Sequence, residues 1–215
     1  VIYSRISVNS FNFNSESKYI GIYVKPFKNY DAGVRTRTIN GHQYRRQIMR
    51  RLALFPQQSG NILIEPAVIT LGVPMDDDPF GTFFQSSRPK QVRTNSIELH
   101  VKALPQPAPA DFAGAGEFLY DVTCDKNELS TDDAAMLSFK ISGNGDMKAI
   151  QPPKMQLEDN IDFYPPEVLE DNEEERSGEF FGNKTYVVDL TPKKAGNLQV
   201  KVPYFVYFDS KQNSY

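Results

Sequence analysis

Proton transfer in this chain would have to pass through two imidazoles, His42 and His100, which lie far apart in the sequence. A nucleophile triad needs one of them as base, yet no Gly-x-Ser-x-Gly elbow accompanies either. His100 alternates with Leu99 and Val101, which puts it on the polar face of a strand. No His/Cys set has the spacing of a metal site, and neither a phosphate loop nor a dinucleotide fingerprint occurs. The carboxylates are scattered, with nothing to mark an acid/base pair. Asp76, Asp77 and Asp78, with Asp132 and Asp133, offer oxygen to calcium. The first three are consecutive, however, and lack the alternate spacing of a calcium loop, so solvated acidic loops are expected. Cys124 is the single cysteine, which excludes an intrachain disulfide. It continues the alternation Phe118, Tyr120, Val122 and is expected on a buried strand face. Asp121 and Asp125 beside it disfavour a thiolate. These residues predict no enzyme, no cofactor and no metal.

Groups suited to association are better represented. Arg35, Arg37, Arg45, Arg46, Arg50 and Arg51 occupy a stretch with no acid between Asp31 and Glu65. On a hairpin, residues two apart share a face. Arg35 with Arg37, and Arg46 with Arg50, are therefore expected to form a basic ridge that docks an acidic partner. Nucleic acid is the rival ligand for such a ridge, but aromatic interleaving is thin and the rest of the chain is acidic, so none is expected. Phe80, Phe83 and Phe84 lie in a Gly- and Pro-bearing loop. Exposed rings of this kind anchor interfaces, and the alternative is that they cap their own domain. Phe80, Phe83, Phe84, Arg46 and Arg50 are the partner-binding residues expected.

The elements that must position these groups are strands. Two segments repeat: Leu54-Phe55-Pro56-Gln57-Gln58-Ser59-Gly60-Asn61 is echoed by Leu190-Thr191-Pro192-Lys193-Lys194-Ala195-Gly196-Asn197. Each is entered and left through an apolar run. Pro ends a strand because it has no N–H to donate, and Gly permits the return. One copy in each of two β domains accounts for the separation. The Pro-rich run Ala103-Leu104-Pro105-Gln106-Pro107-Ala108-Pro109-Ala110 marks the boundary as a stiff spacer. The expected organisation is a first β-sandwich over 1–104, a Pro/Gly-rich linker over 105–116 and a second sandwich over 117–215. The fold class is all-β, two tandem immunoglobulin-like antiparallel sandwiches.

Strands are predicted near 2–8, 19–25, 34–39, 43–55, 61–73 and 92–103, then near 117–124, 134–142, 147–151, 184–191 and 197–208. Asn40-Gly41 is a hairpin signal. In the second domain Leu137, Phe139 and Ile141 point inward, as do Leu198, Val200, Val202, Tyr204, Val206 and Phe208. Residues 74–91 and 152–183 read as long irregular stretches. Charge divides at the same boundary. Residues 1–104 hold fourteen Lys and Arg against seven Asp and Glu; residues 105–215 hold ten against twenty. No run approaches the length of a membrane span.

The order of local motifs resembles the bacterial BatD family of oxygen-tolerance, aerotolerance-related exported proteins. The resemblance rests on Asn40–Arg46, Ala53–Gly60, Ile64-Glu65-Pro66, Asp77–Phe84 and Val101–Pro105. It continues through Phe112–Phe118, Ile141–Gly145 and Tyr204–Asp209. It implies a non-enzymatic, extracytoplasmic interaction scaffold on the periplasmic side of the inner membrane. Partners would be other envelope proteins, among them Bat proteins with von Willebrand factor A domains. Contact with the membrane would come only through segments absent from this chain, which reads as a fragment of an anchored protein. The stretch 25–39 is shorter than the family pattern. The rival function is a carbohydrate- or surface-ligand-binding sandwich, for which a cleft lined by exposed Tyr and carboxamides would speak.

Overall fold

The inward set Leu137, Phe139 and Ile141 lies at the centre of the larger sheet in the computed structural model of the chain, which describes residues 1–75 and 87–215. Strand is the only regular structure among the described residues, with no helix, and no segment qualifies as a membrane-crossing helix. The chain divides into two units, Val1–Ala103 and Leu104–Tyr215.

The first unit has ten strands: β1 (Ile2–Ser4), β2 (Ser10–Ser15), β3 (Ile22–Pro26), β4 (Arg35–Ile39), β5 (His42–Gln47), β6 (Leu52–Pro56), β7 (Gly60–Ile64), β8 (Val68–Pro74), β9 (Ser87–Arg93) and β10 (Ile97–Val101). They form four small antiparallel sheets, ordered β1-β5-β4, β2-β8-β9, β3-β6 and β7-β10. Asn40 and Gly41 take φ of 49° and 76°, the left-handed pair that a two-residue hairpin between β4 and β5 requires. The predicted strands 61–73 and 92–103 are each broken once, by Glu65-Pro66-Ala67 and Thr94-Asn95-Ser96. Pro66 has no N–H for the ladder, and Thr94 Oγ1 accepts from the Ala67 N–H at 2.9 Å instead. Two apolar clusters result. Ile22, Ile62 and Ile64 pack with Leu54, Leu99 and Val101, while Ile69, Leu71 and Val73 pack with Val8, Phe13 and Val92.

The second unit has six strands: β11 (Phe112–Cys124), β12 (Ala135–Gly145), β13 (Ile161–Phe163), β14 (Glu167–Arg176), β15 (Glu179–Pro192) and β16 (Val206–Phe208). They make one sheet, β13-β15-β12-β11-β16, with β14 also paired to β15. Residues 112–116, expected in the spacer, are strand. Here β11 runs parallel to β16, from Phe112↔Val206 to Ala115↔Phe208. One face of the sheet buries Phe118, Phe139, Ile141, Tyr186 and Val188 against Met147, Ile150, Leu198, Val200 and Phe205.

Four expectations are corrected. Residues 167–176 are a strand despite six carboxylates, because Ser177 and Gly178, at φ of 51° and 83°, turn β14 back onto β15. Residues 147–151 form no strand, and of 197–208 only β16 is paired. The inward alternation of that last run stops after Val200: Val202 is 46% exposed, Tyr204 is 92% exposed, and Phe205 packs inward instead. Finally, Cys124 is exposed at the end of β11, its Sγ 3.2 Å from the Lys126 carbonyl.

Candidate functional site

Alternation along β1, β5 and β4 sorts their side chains onto two faces. Ile2, Ser4, Arg45 and Gln47 turn toward Ile6, Val8, Val34 and Met49, with which they line a small pocket. The opposite face carries Tyr3, Arg46 and Arg35 in one row, since Tyr3↔Arg46 and Arg35↔Arg46 are register partners. Arg37 and Tyr44 form the next row. The Arg37 Nη1 lies 3.5 Å from the Tyr3 hydroxyl. Arg5 stacks its guanidinium 5.3 Å from the centre of the Tyr44 ring and donates to that hydroxyl at 3.3 Å. Four arginines and two tyrosines thus share one exposed face of a three-stranded sheet.

Two arginines directly opposite each other on a ladder repel and destabilise it. One acid relieves the row. Asp31 pairs with Arg35 and accepts from the Gly33 N–H at 2.8 Å. That backbone bond, then Arg35, hold the Asp31 carboxyl below its ordinary range. Arg46 and Arg37 have no carboxylate within ion-pair distance among the described residues. Such a face suits a partner bearing carboxylates, which guanidinium forks bind in a planar, bidentate fashion.

The expected pairing of Arg46 with Arg50 on that ridge does not form. β5 ends at Gln47, so alternation lapses, and buried Met49 turns the chain. Arg50 bonds Glu16 at 2.8 Å and lies 4.2 Å from the centre of the Phe13 ring. The Glu16 bond and charge raise the Arg50 pKa, and the same contact lowers that of Glu16. Arg50 is therefore a structural tie in the first unit. Phe80, Phe83 and Phe84, together with Asp76 to Asp78, lie outside the described residues. Tyr3, Arg5 and Tyr44 were not anticipated as members of the face, although Tyr3-x-Arg5 and Tyr44-x-Arg46 both alternate.

The second unit has a groove between 110–113, 151–156 and 201–206. Tyr204 stands at its rim, with the carboxamides of Gln151 and Gln156 and the Lys154–Asp111 ion pair at 3.2 Å. Tyr120 stacks on Phe205 within it and donates to the Pro203 carbonyl at 3.1 Å; burial pushes the Tyr120 pKa up to about 12. Deeper in the unit lies Lys184, also unanticipated, although its alternation with Gly182 and Tyr186 marks it as inward. Its Nζ donates to the carbonyls of Met147 (3.2 Å) and Ile150 (3.3 Å), and Ile150 also accepts from the Tyr186 hydroxyl at 2.8 Å. No cluster of His, Cys, Asp and Glu is arranged to hold a metal among the described residues. His42 lies opposite Ile39, and His100 Nδ1 lies 2.6 Å from Asn61 Oδ1.

The family model described as BatD DUF11 like domain matches residues 122–214, which lie within the second unit. Over most of its length the second unit is similar to that BatD domain. Lys184, the acidic strand β14 and the 151–156 and 201–206 walls of the groove fall inside the BatD match, whereas the 110–113 wall, Tyr120 and the arginine face lie outside it. No curated protein and no solved structure matches the chain.

Proposed function

We propose that this chain is a non-enzymatic, extracytoplasmic interaction scaffold of a bacterial Bat aerotolerance system, working at the periplasmic side of the inner membrane. Its two units are immunoglobulin-like sandwiches joined by the Pro-rich stretch at 105–109. Two features support that architecture. In the second unit the order β11-β12-β15-β14 is first, second, fifth and fourth strand, the order of one sheet in an immunoglobulin sandwich. The face of that sheet is also covered by a second layer, supplied by residues of 147–157 and 198–207.

The observation that carries the functional reading is the arginine–tyrosine face of β1, β5 and β4. An opposed arginine pair is a poor choice for stability and a good one for recognition. The partner is an acidic envelope protein, and a Bat protein with a von Willebrand factor A domain is the one to try. The test is association of the whole chain with such a purified domain. Binding should weaken with salt, and Arg37→Glu with Arg46→Glu should slow association about tenfold or more. Binding indifferent to both the reversal and the salt would reject this face.

The groove of the second unit favours a second reading, a module for carbohydrate or another surface ligand. An exposed tyrosine beside two carboxamides is what a sugar's apolar face and hydroxyls ask for. Oligosaccharide titration of the wild type and Tyr204→Ala decides it: saturable binding lost in the variant supports this reading, and no binding by the wild type removes it.

A further inference from the structure

The repeated corner is equivalent in the two units down to single hydrogen bonds. In the first, Pro56 pairs with Ile22, the Gln57 N–H donates to the Gly21 carbonyl at 2.9 Å, and the Ile22 N–H returns to Tyr19. In the second, Pro192 pairs with Ile161, the Lys193 N–H donates to the Asn160 carbonyl at 2.9 Å, and the Ile161 N–H returns to Glu158. Gly60 and Gly196 both take positive φ, 112° and 147°. The chain then leaves in the same phase, with Ile62 and Ile64 inward in one unit, Leu198 and Val200 in the other.

Beyond the corner the two units part. β7 is paired along its whole length by β10, from Val101↔Gly60 to Ile97↔Ile64. Its equivalent, residues 196–200, makes no backbone hydrogen bond to any described segment. Asn197, Gln199 and Lys201 are exposed along it. An extended segment with open N–H and C=O groups is a template for one more strand.

We propose that residues 196–200 are an acceptor edge for an extended peptide that adds antiparallel to the second unit, as β10 adds to β7. The equivalence specifies the occupant as apolar–acid–apolar–His–apolar, the pattern of Ile97-Glu98-Leu99-His100-Val101. Transferred register by register, the His position falls opposite Asn197. That repeats the 2.6 Å contact of His100 Nδ1 with Asn61 Oδ1. The central apolar residue falls opposite Leu198. The acid falls opposite Gln199 and diagonal to exposed Lys201, within reach of the charge. The site is separate from the arginine face and does not depend on what that face binds.

The probe is a synthetic peptide with the sequence of Asn95–Ala103, added to the whole chain and followed by residue-resolved amide exchange. In the free chain the amides of 197–201 should exchange freely while those of Ile62 and Ile64 are protected. Saturating peptide should slow exchange at 197–201 about tenfold or more. N-methylation at one alternating set of peptide amides should abolish the effect and at the other set spare it, because only every second N–H faces the ladder. Asn197→Ala should lower affinity about fivefold, the worth of one hydrogen bond. The peptide with His100→Ala should do the same while leaving the protein untouched. The proposal is overturned by any of three results: amides at 197–201 already as protected as those of Ile62, no protection at millimolar peptide, or protection confined to β7 through exchange with β10.

Discussion

Lys184 is a cation 7% exposed whose ammonium serves the carbonyls of a segment that has no ladder of its own. Replacing it by Met keeps the stem, leaves the Met147 carbonyl without its donor and the Ile150 carbonyl with Tyr186 alone, and removes the cation 3.7 Å from Asp171. We expect Lys184→Met to cost about 1–3 kcal/mol, read by chemical denaturation, with loosening at 147–150 seen in amide exchange. Tyr120 makes the pH argument. Burial raises its folded pKa to about 12 from an ordinary value of 10. The folded state therefore favours the neutral phenol. That stability is complete below pH 10 and is lost as pH rises toward 12. Ultraviolet titration should find one tyrosine ionising near 12, and Tyr120→Phe should flatten the alkaline loss. Glu16 works at the other end of the scale. Arg50 lowers its pKa below 4.5, so its contribution is present at neutral pH and fades as pH falls through the lowered value. Glu16→Gln should flatten that acid limb.

At the scale of the element, the corner is the most portable unit. A Cβ on Gly60 or Gly196 would meet nothing within 4 Å, so replacement is resisted by backbone conformation alone. Gly60→Ala should destabilise the first unit by ~1 kcal/mol or more, and denaturation of the variant measures it. The corner was legible because Pro and Gly act locally. So were the Asn40-Gly41 hairpin and the inward set of β12, which need only a turn dipeptide or a period of two. β14 was not legible, because its carboxylates argue against a strand and its cause lies in Ser177-Gly178 and a long neighbour. The unpaired run at 197–205 was also hidden. Its apolar alternation is that of a buried strand, and only the partner's position decides whether a ladder forms. Arg50 was misplaced because the end of β5 could not be seen from the arginines themselves.

Across the whole molecule the charge is polarised, net +7 over residues 1–104 and −10 over 105–215. Residue types alone made that division plain, but the assembly of the arginine face from three strands required the fold. A chain so divided should answer salt in opposite ways at its two ends. Docking on the arginine face should fade, since screening shortens the reach of exposed charge to about 3 Å at 1 M. β14 should behave otherwise. It is a ten-residue strand at the margin of its sheet, with Val168 and Leu169 exposed among its carboxylates. Mutual repulsion is what keeps two such margins from zipping together. Light scattering across a salt series should therefore rise for the wild type, and rise earlier when Glu173 and Glu175 are replaced by Thr. The colloidal consequence is that concentrated stocks of this protein will keep best in dilute buffer, and the additive most often chosen to prevent precipitation would here seed it.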